Sequence, residues 1–301
     1  MPEFDVAGAD AGTSWQARVL QEFAETLAGR PWCCDLLLRG SLARGSSDAY
    51  SDIDLVATVA EEHFDGAIND LTNVLPLSLR GGLPPWLDRL VSDFGGIGFV
   101  YLLQVDGQQW GEVDIYLLPH HRQQRLFGHG PVLSLRKSAG RKASDTSLDA
   151  DLDVTRQRHG QLAMHDLQQA VLACYVEAFL LRKRLLRRDQ FQTFADTYAT
   201  AQCVRDLIVL ACAPLREEWG WHGLKKCAEC SPDPALVLRV LSTFAQQDRL
   251  EQPAGLSSRV AAIEEIVALL APVIWREHGE SFRNLGRYIL TSPNGGGDSC
   301  A

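Results

Sequence analysis

Apolar positions along the chain follow two regimes. Short blocks and two-residue alternations run to about residue 120, and three-to-four spacing takes over from about residue 155. Trp15, Val19, Leu20, Phe23 and Leu27 open the chain as a helical stripe, which Thr13 or Ser14 can cap and Gly29 ends before Pro31. Residues 36–39 predict a first strand, 42–48 a short turn or helix, and 52–59 a second strand. Residues 64–75 predict a helix stopped by Pro76. Pro85 suits the first turn of another helix through Trp86, Leu87, Leu90 and Val91, stopped by Gly95 and Gly96. Residues 97–105 and 111–118 then form a hairpin about Asp106-Gly107, completing a small mixed sheet. Residues 119–130 read as a loop and 137–153 as a linker.

Beyond the linker the period changes. Leu162, Leu167, Val171, Cys174 and Phe179 predict a helix over 155–188, and further helices are expected at 197–213, near Lys225, and at 235–245, 257–270 and 275–290. The tail NGGGDSCA, residues 294–301, has nothing to bury and is expected to be disordered. The pattern predicts an α/β plus α architecture: a mixed-sheet domain over 1–140 and a helical bundle over 141–293.

Composition narrows the function classes. With 46% apolar and 22% charged residues, the chain has the make-up of a soluble globular protein, and no apolar run is long enough to span a bilayer. The acidic start MPEFDVAGADAG is unlike a secretory signal, which makes a cytoplasmic location the expectation. The 8 cysteines show no spacing of a small secreted domain and read as reduced thiols. A net charge of -9 argues against wholesale nucleic-acid binding, which needs a basic footprint; it reads first as the charge of an ordinary soluble protein and second as suited to a cationic small substrate.

The chemistry concentrates in GSLARGSSDAYSDIDL, residues 40–55. Gly40-Ser41 makes a tight turn after the first strand. Asp52 and Asp54 then share one face of the second strand, with Ile53 and Leu55 on the other. Two carboxylates side by side repel unless a cation sits between them. Asp114, between Val113 and Ile115, is the expected third ligand, and Glu112 shares its face as an outer-shell group, a substrate contact or a base. Such a set suits phosphoryl or nucleotidyl transfer, where charge neutralisation and in-line positioning do most of the work.

Gly40-Ser41, Gly45, Ser51-Asp52-Ile53-Asp54-Leu55 and the isolated strand Asp114 together resemble the polymerase-beta-like nucleotidyltransferase superfamily. The branch that adenylylates aminoglycosides and lincosamides is the most similar, since it too appends a helical domain. The resemblance covers about residues 13–120. It implies that Gly40 and Ser41 hold a triphosphate, that Asp52 and Asp54 bind two magnesium ions, and that Asp114 completes the site. It further implies transfer of a nucleoside monophosphate, AMP from ATP foremost, to a hydroxyl of a small amine-bearing acceptor held in the cleft between domains. Related activities of the superfamily leave a protein or RNA target, or a non-catalytic antitoxin-like module, as alternatives.

Other residues are weaker candidates. Arg39 and Arg44 flank the turn and suit phosphate oxygens, with a solvated helix position the competing reading for Arg44. Arg182, Lys183, Arg184, Arg187 and Arg188 read as a wet helix face, with a reach to the triphosphate as the alternative. Cys227 and Cys230 have ligand spacing but no second pair and read as ordinary thiols. His120 and His121 read as loop residues, His159 and His165 stay unassigned, and Glu177 reads as a polar-face residue.

Overall fold

The computed structural model describes residues 15–74, 82–88, 95–107, 109–136, 149–212, 221, 223–245 and 253–291. Two compact units divide the chain, Met1–Met164 and His165–Ala301. The fold is mixed α/β, with a six-stranded mixed sheet and, among the described residues, ten α-helices that dominate the C-terminal part.

The first unit begins with α1 (Trp15–Ala28), whose Val19, Leu20, Phe23 and Leu27 are buried. β1 (Cys33–Leu38) leads through α2 (Gly40–Arg44) into β2 (Ile53–Val59). A 3-10 turn, Glu61–His63, then enters α3 (Phe64–Asn69) and a π-helical turn, Asp70–Val74. β3 (Trp86–Asp88), β4 (Ile97–Asp106), β5 (Gln109–Pro119) and β6 (Leu133–Arg136) complete the sheet, in the order β3-β4-β5-β2-β1-β6. β2 and β5 pair in parallel and the other neighbours antiparallel, so the two acid-bearing strands run side by side at the centre.

Strict alternation splits the sheet's side chains between two faces. Leu36, Leu38, Ile53, Leu55, Phe99, Tyr101, Val113 and Ile115 form one core with α1, Phe64 and Ile68. The opposite face carries a small cluster of Leu37, Val56, Leu118 and Leu126 beside the acidic positions.

Several sequence expectations change here. The helix expected through Trp86 is strand β3, because this segment pairs antiparallel with Gly98–Val100; the rest of that expected helix and Leu75 lie outside the described residues. Residues 119–130 are not a loop: a 3-10 helix spans His120–His129. β6 was not expected; its backbone pairs with β1 and closes that side of the sheet. Of the expected linker, 137–148 lie outside the described residues and the remainder starts α4 (Asp149–Met164).

α4 belongs to the first unit, Met1–Met164. Leu152 joins the sheet core, and buried Arg122 donates to Asp153 at 3.0 Å and to the Gly95 carbonyl at 2.9 Å. Arg158 and His159 both reach Asp65 at 2.8 Å.

The second unit contains α5 (Leu167–Arg187), α6 (Gln190–Cys212), α7 (Leu224–Glu229), α8 (Pro234–Ala245), α9 (Pro253–Leu270) and α10 (Pro272–Leu290). The expected single helix over 155–188 is broken at His165-Asp166, where the Asp166 carboxylate accepts from the Gln168 and Gln169 amides and caps α5. Val171, Tyr175, Val204, Ile263, Phe282 and Leu285 are all fully buried, with Tyr175 stacked on Phe282 at 4.4 Å. No helix is long and apolar enough to cross a membrane among the described residues. The tail expectation, 294–301, lies outside the described residues.

Candidate active site

The acidic face of the sheet is built by β1, β2 and β5. Asp54 and Asp114 are direct neighbours in the parallel register, and Ile53, Leu55, Val113 and Ile115 anchor both strands in the core. Asp52, immediately before β2, is aimed by a pinned loop. The Ser51 hydroxyl donates to Asp48 Oδ1 and accepts the Asp48 amide, both at 2.9 Å, while Tyr50 N–H donates to the same Asp48 oxygen at 3.0 Å. Gln16, from α1, donates to the Asp48 carbonyl at 3.1 Å.

Asp52, Glu112 and Asp114 bring one carboxylate oxygen each to within 4.8 Å of the others. Glu112 and Asp114 are buried and Asp52 half-buried. Bringing three carboxylates together in poorly hydrated surroundings is unfavourable without a cation, and all-oxygen donors suit a hard divalent ion such as Mg2+. Of the three acids expected to bind metal, Asp52, Asp54 and Asp114, the first and last fall in this group, with Glu112 as its third member. Asp54 stands next to this group, its carboxylate lying over Gly40.

Gly40 shows why the turn takes its shape. Its φ of +70° falls in the left-handed region, and a Cβ there would sit 1.8 Å from Asp54 Oδ2. The backbone thus passes against the carboxylate as only glycine allows. Gly45, with φ +66°, ends α2 in open space. The Ser41 Oγ is buried and has no hydrogen-bond partner among the described residues. A buried hydroxyl left unsatisfied is costly, which fits a position awaiting a ligand oxygen. Arg39 N–H donates to the Asp54 carbonyl at 2.9 Å, and its guanidinium lies 5.9 Å from the centre of the Tyr116 ring. Arg44 is exposed at the end of α2 and is not part of the cluster.

Sequence reading overlooked Tyr116. Two residues beyond Asp114 on the same face, it donates its hydroxyl to Asp114 Oδ2 at 3.3 Å. Burial, followed by the charges of Asp114, Asp54, Asp88 and Glu112, pushes its phenol far above the ordinary range. It therefore remains a donor at any working pH. Period-two counting from Glu112 was enough to find it.

Farther along the same strands, His120 faces Asp35 at 3.3 Å and Thr58 at 3.2 Å, and His121 pairs with Glu61. These are partnered side chains, not loop residues in solvent. A cavity of about 290 Å³, with Leu87, Ile97 and Met164 in its wall, lies at the edge of the sheet beside α4. Leu87 and Ile97 belong to the core face, so this space is not the carboxylate site.

In the second unit, Arg182 and Lys183 overturn the wet-face expectation, being 5% and 2% exposed. Arg182 lies 4.3 Å from the Tyr288 ring centre and donates to the Thr291 carbonyl, and Arg184 pairs with Asp196 at 3.2 Å. Arg187 is half-buried and Arg188 exposed, taking a left-handed cap conformation. Glu177 is half-buried on α5, and His165 is exposed.

No family model matches the chain, and no curated protein matches its sequence.

Proposed function

We propose that the first unit is a Mg2+-dependent nucleotidyltransferase of the polymerase-beta-like kind. The proposed reaction transfers a nucleoside monophosphate, AMP from ATP foremost, to a hydroxyl of a small amine-bearing acceptor. One observation carries the reading: carboxylates from the start of β2 and from β5 converge within 4.8 Å. They do so beside a glycine turn whose backbone touches a fourth carboxylate. Packing alone gives no reason to gather these charges on the face opposite the core.

Asp52, Glu112 and Asp114 would hold the metal, with Asp54 alongside. Bound there, Mg2+ would neutralise triphosphate charge and lower the pKa of the acceptor hydroxyl. Ser41 Oγ, already desolvated, would donate to a phosphate oxygen, and Arg39 is placed to contact another. The acceptor hydroxyl oxygen would attack the α-phosphorus and give up its proton to solvent, while the bond to the bridging oxygen breaks and pyrophosphate leaves. The short separation between Glu112 and the other ligand oxygens favours metal binding over a base role. Tyr116 orients Asp114 by donating to Oδ2.

The test is pyrophosphate release with Mg2+ and each nucleoside triphosphate, against a panel of aminoglycosides and lincosamides. Acceptor-dependent release supports the reading. No release with any pair sinks the small-antibiotic acceptor, and absence of Mg2+-dependent nucleotide binding as well sinks the nucleotidyltransferase itself.

A further inference from the structure

The interior of the second unit holds a positive charge that no carboxylate neutralises among the described residues. Arg259, in the second turn of α9, is 2% exposed, so its guanidinium has left water almost entirely. α9 packs against α6 and α8, and the contacts of the guanidinium come from those helices. Nη1 donates to the Thr197 carbonyl of α6 at 3.5 Å, a long hydrogen bond, and the guanidinium carbon lies 5.0 Å from the centre of the Phe244 ring of α8. Nη2 is buried and has no hydrogen-bond partner among the described residues. Acids on the neighbouring helices are engaged elsewhere: Asp196 pairs with Arg184 at 3.2 Å, Glu265 pairs with Arg239 at 3.0 Å, and Glu264 feels the charges of Arg283 and Arg287. Burial alone pushes the Arg259 guanidinium down to about 10, which still leaves it charged at neutral pH. Beside it is an idle hydroxyl. Thr193 and Thr200 of α6 each donate to the carbonyl four residues back at 2.7 Å. Thr197, between them, is 5% exposed, and its Oγ1 has no partner among the described residues.

We propose that Arg259 and Thr197 form a site for a small monovalent anion of the halide class, chloride foremost, that ties α6 to α9 inside the second unit. A buried charge and a buried donor are each costly when left alone, the charge most of all, and one anion satisfies both. A single guanidinium charge balances a monoanion. The unsatisfied donors, Nη2 and the Thr197 hydroxyl, match a spherical ion that demands no fixed geometry. A phosphate would bring excess charge and several oxygens, more than these donors can cover. Neither residue belongs to the carboxylate cluster or the glycine turn of the first unit, and no covalent or redox step is involved.

The experiment titrates the full-length chain with chloride in gluconate buffer at constant ionic strength, with chelator present and no nucleotide. The chlorine NMR line is expected to broaden with protein and to sharpen again when bromide competes. The melting temperature is expected to rise saturably with chloride and to stay flat when gluconate replaces it. Arg259→Met keeps the apolar stem and removes the charge and the donors. An apolar side chain in place of a buried charge is tolerated, so this variant is expected to fold, to lose the broadening and to melt at a temperature indifferent to chloride. Thr197→Val keeps the shape without the hydroxyl and is expected to bind chloride about 5-fold more weakly, the worth of roughly one hydrogen bond. No broadening with the unaltered chain, broadening that survives in Arg259→Met, or displacement by phosphate in preference to bromide would overturn the proposal. The chlorine line of the unaltered chain is read without any variant, nucleotide or Mg2+, so its outcome is independent of the transferase reading.

Discussion

Replacing Gly40 by alanine separates backbone strain from damage to the site, because Gly45 supplies a matched control. Both glycines are left-handed, at φ +70° and +66°. Forcing an L-residue into that region costs about 1–2 kcal/mol at either position. At Gly45 that is the whole cost, since nothing among the described residues lies within 4 Å of the new methyl. At Gly40 the methyl would fall 1.8 Å from Asp54 Oδ2 and 2.7 Å from its Cγ, but 3.3 Å from its Cβ. Rotation about the Asp54 Cα–Cβ bond relieves the overlap, adding about 0.5–1.5 kcal/mol for an off-rotamer side chain. Gly40→Ala therefore folds, losing about 1.5–3.5 kcal/mol, or roughly 3–14 °C of melting temperature for a unit of this size. Its carboxylate, however, is turned out of place. Misplacing a reacting group by about 1 Å costs on the order of 100-fold in rate. The assay pairs thermal unfolding by circular dichroism with the initial rate of pyrophosphate release. Gly45→Ala is expected to melt early and stay active, and Gly40→Ala to melt early and lose about two orders of magnitude. A Gly40→Ala enzyme within a few-fold of Gly45→Ala would refute the argument that Asp54 depends on this turn.

Further outcomes follow from individual contacts. Tyr116→Phe keeps the ring and removes the donor to Asp114, so activity should fall by about 3–30-fold, from a hydrogen bond worth at most about 1–2 kcal/mol at 3.3 Å, with melting little changed. Glu112→Gln should weaken Mg2+ or Mn2+ binding, read by Mn2+ paramagnetic relaxation, while retaining the fold. Arg122→Met removes a buried cation that joins the Gly95 carbonyl to Asp153, and denaturant unfolding should show a loss of about 2–4 kcal/mol. Asp166→Ala strips the cap from α5 and should cost about 1 kcal/mol, seen in the melting of the second unit and not in nucleotide binding.

Much of the central sheet could be read directly from the sequence, because its strands obey the two-residue period and its hairpin carries a clear turn. Asp52, Asp54 and Asp114 stood out for the same reason: charged residues interrupting apolar strands have no packing explanation. β3 was misread since Pro85 is equally at home in a helix's first turn and before an edge strand; pairing with β4, a contact distant in sequence, decides between them. The four-residue β6 is too short for a periodic signal, and its identity comes from bonding to β1. Tyr116 was passed over because an aromatic in a strand ordinarily reads as core, whereas here it faces the acids. Arg182 and Lys183 looked like a solvated run because charge in sequence says nothing of long apolar stems and aromatic partners such as Tyr288.

The central claim is tested most directly by following the phosphorus atoms. ATP labelled at the α-phosphorus should pass its label to the acceptor in the presence of Mg2+, while label at the γ-phosphorus should appear in pyrophosphate. Asp114→Asn should abolish both, with the circular dichroism spectrum of the native fold retained. Label that stays in ATP for every acceptor, or transfer that survives in both Asp52→Asn and Asp114→Asn, would contradict catalysis by this cluster.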